Sequence, residues 1–207
     1  MKRFGLKDNR TAQFEPKTAI FPGREAAVIR VADDSAEELF TGRWGFVRRP
    51  RGKAPARTGN ARDDAIRSNM FWVPSFKTRR ALVPFTAYAE PLGEKPAHWI
   101  WHLFKTNGEP RPLGAFAGIW KTYVGPVKKN GPEVTQDVFA FMTTGSNGSE
   151  TAEAHGRMPV LLRTDEEFKL WLHGTEEEAF SLAKPYAKEE IRVVQRGLEK
   201  KDLLEAA

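Results

Sequence analysis

Six apolar stretches, each cut short by turn residues before it reaches the length of a helix, constrain this chain most. Residues 26–31, 43–47, 80–84, 98–104, 116–120 and 137–142 are short and rich in β-branched and aromatic side chains, the pattern of strands. In the fourth stretch, alternation puts Trp99, Trp101 and Leu103 on one face. Asn107-Gly108, Asn130-Gly131-Pro132 and Asn147-Gly148 mark turns between them, because Asn and Gly tolerate positive φ. Helices are fewer and declare their starts. Thr164 with Glu167 forms a capping box ahead of Phe168, and Thr175 with Glu178 repeats it, with Pro185 closing that helix. A third helix is expected from Asp63 toward Phe71. There is no βαβ alternation, glycine-rich phosphate loop or internal repeat. The expected fold is a single α+β domain over 1–207: an antiparallel, barrel-like sheet with peripheral helices. Its core spans about 20–172. Residues 48–59 read as a basic loop, and 184–207 as a short strand and a polar tail.

Composition removes several classes. No apolar run approaches the ~18–20 residues of a membrane span, and no apolar segment follows Met1-Lys2-Arg3-Phe4-Gly5, so neither a membrane partner nor an export signal is expected. The chain contains no cysteine, which excludes a disulfide scaffold and a cysteine-ligated zinc. With no export signal, the cytoplasm is the default location. Lys and Arg outnumber Asp and Glu by 33 to 27, for a net charge of +6. That excess is concentrated: Arg43, Arg48, Arg49, Arg51, Lys53, Arg57, Arg62 and Arg67 face only Asp63 and Asp64. A solvated charged loop would account for the run by itself. Trp44, Phe46 and Trp72 flank it, however, and a basic strip with aromatics suits a phosphate backbone with stacked bases.

Three further segments bring chemistry. Gly59-Asn60-Ala61-Arg62, then 80–84 leading to Tyr88-Ala89-Glu90, then His155-Gly156-Arg157-Met158-Pro159 occur in that order, with Trp44-Gly45 and Ala117-Gly118-Ile119-Trp120 between and before them. Taken singly, each has a plain structural reading as a turn, a strand end or a solvated carboxylate. Together they resemble the signature of the SOS response-associated peptidase (SRAP) family, from about residue 20 to 171 and more weakly to 198. The resemblance implies capture of abasic sites in single-stranded DNA, no metal or organic cofactor, and a monomer that is nucleoid-associated when on DNA. It implies that Glu90, His155 and Asn60 are catalytic. Arg62, Arg157, Trp44, Arg48, Arg49 and Arg51 would contact DNA.

Those residue types suit the task. An abasic site exposes a sugar aldehyde, and trapping it needs an amine and a proton carrier. Glu90 has apolar neighbours that would raise its pKa. His155 can polarise or protonate the sugar oxygens, Asn60 both donates and accepts, and Arg62 and Arg157 offer planar forks to phosphates. His98, His102 and His173 receive no role. In the family, an N-terminal cysteine exposed by removal of Met closes a thiazolidine ring on the aldehyde. Here Lys2 stands in that position. Phe21-Pro22-Gly23 arrives early, and residues 1–6 resemble the end of a helix that should follow a first strand. Either the sequence starts at an internal methionine, or the lineage has lost the cysteine. Two other readings stay open: a non-catalytic single-stranded DNA-binding module, and a peptidase or other hydrolase. No Ser-His-Asp spacing or HExxH motif supports the last.

Overall fold

The computed structural model describes residues 6, 17–33, 35–105, 108–109 and 111–203. Along the chain run β1 (Glu25–Val31), β2 (Glu37–Trp44), β3 (Phe46–Arg48), β4 (Ala56–Thr58) and β5 (Asn60–Arg62), then helices α1 (Asp63–Ile66) and α2 (Val73–Thr78). Next come β6 (Arg80–Phe85), β7 (Tyr88–Leu92), β8 (His98–Phe104), β9 (Gly114–Pro126) and β10 (Glu133–Gly145). The order ends with α3 (Glu150–His155), β11 (Arg157–Pro159), β12 (Leu161–Leu162), α4 (Asp165–His173), α5 (Glu176–Phe180) and β13 (Ile191–Gly197).

Strands β2, β1, β6, β9 and β10 pair in that cyclic order and close a five-stranded barrel. Its pairings are antiparallel except β10 on β2, which is parallel through Val138↔Arg43 and Phe139↔Trp44. Strands β7, β8 and β13 form a second sheet. The α+β, barrel-like expectation holds. Alternation along the barrel strands divides the core in two: Val28, Ala81 and Phe139 join one apolar cluster, while their neighbours Ile29, Leu82 and Val138 join another, as a period of two requires. Helices α2, α4 and α5 cover the second cluster with Phe76, Phe168, Trp171 and Ala179.

The helices are tied to the barrel by specific bonds. Both capping boxes form: Thr164 and Thr175 accept from the backbone of Glu167 and Glu178, and those carboxylates accept in return. Trp171, fully buried, donates from Nε1 to the carbonyls of Ala81 at 2.9 Å and Gly118 at 3.0 Å, spanning β6 and β9. Arg80 donates to the carbonyls of Trp171, Phe76 and Gly174. A cation there satisfies orphan carbonyls at two helix ends.

Four expectations need correction. The stretch 43–47 is not one strand: Gly45 takes φ +111, a conformation that favours glycine, and the chain turns there from β2 into β3. The helix from Asp63 stops at Ile66. Beyond it Asn69 accepts from the Phe71 N–H at 2.9 Å, an Asx turn, and Pro74 enters the first turn of α2. The basic loop contains β4, which pairs with β3. The polar tail is anchored: Asp202 is buried, takes a bidentate pair from Arg111 at 2.6 and 2.7 Å, and its N–H donates to Thr18 at 2.9 Å. Asn130 (φ 57) and Gly148 (φ 77) make the expected turns. Asn107, and the helix end read into 1–6 apart from Leu6, lie outside the described residues.

His102 links stability to pH. On β8 it is buried, stacked on Tyr88 at 4.9 Å and 3.4 Å from the Thr151 hydroxyl. Burial, reinforced by the Arg196 charge, pushes its imidazole down to about 4, from 6.5. The unfolded chain therefore takes up a proton that the folded one refuses as pH falls from 6.5 to about 4. Stability should drop across that window by on the order of 3 kcal/mol. Urea unfolding at several pH values should show this slope in the native protein and a much flatter one in His102→Phe.

Candidate functional site

Pairing to β10 brings distant segments together. Parallel registers set Trp44 opposite Phe139 and Asn60 opposite Phe141. The Trp44 indole lies against Phe139 and Phe141 and donates from Nε1 to the Gly59 carbonyl at 3.2 Å. It fits there because residue 59 is glycine: a Cβ would lie 2.5 Å from that nitrogen. Gly59 thus lets Trp44 seat and delivers Asn60, at the start of β5, to the same wall.

That wall belongs to a cavity of about 630 Å³. Trp44, Asn60, Tyr88, Glu90 and Trp99 contribute to its lining, with Arg57 among its polar groups. Glu90 comes from β7, held in register on β8 through Glu90↔Ile100. Its carboxyl is raised above the usual range by burial, against the opposing pull of the nearby His155. His155 ends α3, and Gly156, left-handed at φ 66, turns the chain away. Its Nε2 stands 4.0 Å from Glu90 Oε2 and 2.7 Å from the Pro91 carbonyl. A carbonyl only accepts, so Nε2 carries the proton in that contact.

Asn60, Glu90 and Trp44 therefore share one cavity, with His155 against Glu90 just outside the lining. The arginines are distributed differently. Arg62 is exposed and forks onto Asp64 from Nε and Nη2. Arg157 is largely committed: Nη2 donates to Asp63 at 2.5 Å and to the Thr143 carbonyl at 2.6 Å, and Nε to the Thr143 hydroxyl at 3.2 Å. Arg48, Arg49 and Arg51 are exposed around the β3–β4 connection and do not line the cavity. Arg57, which does line it and donates to the Gly45 carbonyl at 2.9 Å, was visible in sequence only as one member of the basic run. Lys17, Lys200 and Asp202 also reach the cavity. No local motif marks them, because they arrive from the two ends of the described chain. Among the described residues, no group of three or more His, Cys, Asp or Glu could hold a metal ion, and no helix is long and apolar enough to cross a membrane.

The raised Glu90 pKa has a signed consequence. Above the ordinary value of 4.5 the unfolded chain gives up this proton while the folded chain holds it, so ionisation of Glu90 weakens folding at neutral pH. Glu90→Gln should melt at a higher temperature than the native protein at pH 7. The gap should close as pH falls below about 4.5. A lower melting temperature for the variant at both pH values would contradict this electrostatic account.

No curated protein matches the chain. Among solved structures, a protein from Bacteroides thetaiotaomicron aligns with a TM-score of 0.62 at 25% identity, over 84% of this chain and 75% of its own. A protein from Bordetella bronchiseptica aligns at 0.64 and 21% identity, over 85% and 86%. A phage-related protein from the same organism aligns at 0.61 and 20%, over 88% and 85%. The family model for the SOS response associated peptidase (SRAP) matches residues 1–197. This chain belongs to the SRAP family.

Proposed function

We propose that this protein recognises abasic sites in single-stranded DNA and receives the lesion in the cavity walled by Trp44, Asn60 and Glu90. One observation carries the reading: Glu90, its carboxyl raised by burial, faces a cavity and has His155 beside it. A carboxyl whose burial favours the protonated form is better placed to act as a general acid than a solvated one. Imine formation joins an amine to the sugar aldehyde and expels water. In that step Glu90 protonates the departing hydroxyl of the carbinolamine and later takes a proton back. Asn60 donates or accepts at a sugar oxygen. His155, with Nε2 committed to the Pro91 carbonyl, stands beside Glu90 and orients its side of the cavity. Arg57 offers a cation at the wall. Arg62, Arg48, Arg49 and Arg51 attract the strand from outside, and Arg157 retains only Nη1 beyond its bonds to Asp63 and Thr143. On this reading the protein acts as a cytoplasmic monomer on DNA.

The 207 residues hold no thiol to close a thiazolidine, so the covalent chemistry they can supply is a reversible imine from a lysine amine. The exposed arginines of the β3–β4 connection, outside the cavity, favour a second reading, a single-stranded DNA-binding module without covalent chemistry. Borohydride separates the two. With an abasic oligonucleotide, reductant should trap a covalent adduct with the native protein, and Glu90→Gln should slow trapping by roughly 10²-fold or more. Tight binding with no trapped adduct selects the binding module. Affinity should fall with salt by a log–log slope of about −0.7 per phosphate neutralised. No binding to single strands at low salt overturns both readings.

A further inference from the structure

Away from the cavity, three cations converge on an aromatic patch. The Arg48 guanidinium carbon stands 4.3 Å from the centre of the Phe71 ring and 6.0 Å from that of Trp72. The Lys121 ammonium stands 4.4 Å from the same Phe71 ring and 4.5 Å from Phe46. Arg79 joins them from the end of α2: burial, and after it the charges of Arg79 and Arg48, lower the Lys121 pKa. Arg79 Nε is buried with no hydrogen-bond partner. No carboxylate among the described residues pairs with any of the three, whereas eight other arginines each hold one. None of the three lines the cavity.

Each ring attracts its cation, but three cations gathered without a counter-charge repel one another, and a buried N–H without an acceptor is rare. Both costs vanish if an anion sits among them. Two planar forks and an ammonium supply charge-assisted donors to several oxygens at once. That suits a phosphoryl group better than a single carboxylate.

We propose that Arg48, Arg79 and Lys121 form a phosphate-binding site, separate from the cavity, that holds a backbone phosphate of the bound strand. The assignment of a backbone phosphate rests on the single-stranded DNA reading; the anion site itself does not. Arg48 begins the exposed basic connection through Arg49, Arg51 and Lys53, so a strand drawn to that connection has an anchoring point at its base.

The test uses the full 207-residue chain with two probes, inorganic phosphate and an intact single-stranded oligonucleotide. Phosphate should raise the melting temperature beyond chloride at equal ionic strength and move the Lys121 side-chain NMR signals saturably. The stabilisation should disappear in both Lys121→Gln and Arg79→Gln, and the saturable shift of Lys121 in Arg79→Gln. These variants should melt no lower than the native protein in chloride alone, whereas loss of a purely structural cation–aromatic contact would lower them. Each should bind the oligonucleotide about fivefold more weakly at 0.1 M salt, with a salt slope smaller by about 0.7. If phosphate saturates Lys121 but the oligonucleotide neither binds nor competes, the backbone assignment is overturned and a free-phosphate site remains. If the native protein and both variants bind the oligonucleotide alike, and phosphate leaves Lys121 unmoved, the site is overturned while the DNA reading stands.

Discussion

The parallel pairing of β10 with β2 and then β5, in succession along one edge, governs the rest of the molecule. Gly45 donates to the Phe139 carbonyl at 2.8 Å and Phe141 to the Gly59 carbonyl at 3.2 Å, pinning two separate segments two residues apart on one strand. That register closes the barrel and faces Trp44 and Asn60 onto the same cavity. Further along, the same strand pairs Gly145 with Arg157, just past the end of α3 and His155. Because side chains alternate with a period of two, a one-residue slip would turn Trp44 and Asn60 to the opposite face. The site is thus a product of strand register, with groups from positions 44, 60, 90 and 155 held together by backbone bonds.

Much of the fold was legible because it depends on local chemistry. The capping boxes at Thr164 and Thr175 name their own partners three residues on, and the apolar stretches announce strands. The misreadings came where a single residue overrules pattern. Gly45 breaks an otherwise continuous strand, and Asn69 stops a helix whose opening at Asp63 is unremarkable. The anchoring of Asp202 by Arg111 joins positions about ninety residues apart, and nothing near either residue points to the other.

The candidate site divides the same way. Asn60, Glu90 and His155 each stand in a short motif, and the structure brings Asn60 and Glu90 to one cavity with His155 alongside. The arginines were harder. Sequence counts charges but does not show their partners: Arg157 and Arg62 are held by Asp63 and Asp64, while Arg57 faces the cavity and Arg48, Arg79 and Lys121 pair with no carboxylate among the described residues. Which cations remain for an anion is decided by tertiary pairing, which a linear charge run cannot express.

The central claim is that an abasic lesion enters the cavity between Asn60 and Glu90. NMR titration compares two single strands of identical sequence, one carrying a stable tetrahydrofuran abasic analogue and one intact. The account predicts lesion-dependent shifts at the Asn60 amide, the Glu90 carboxyl and the Trp44 indole, with lesion-independent shifts in the basic connection around Arg49 and Arg51. Identical shifts for the two strands, with Asn60, Glu90 and Trp44 unmoved, would contradict it.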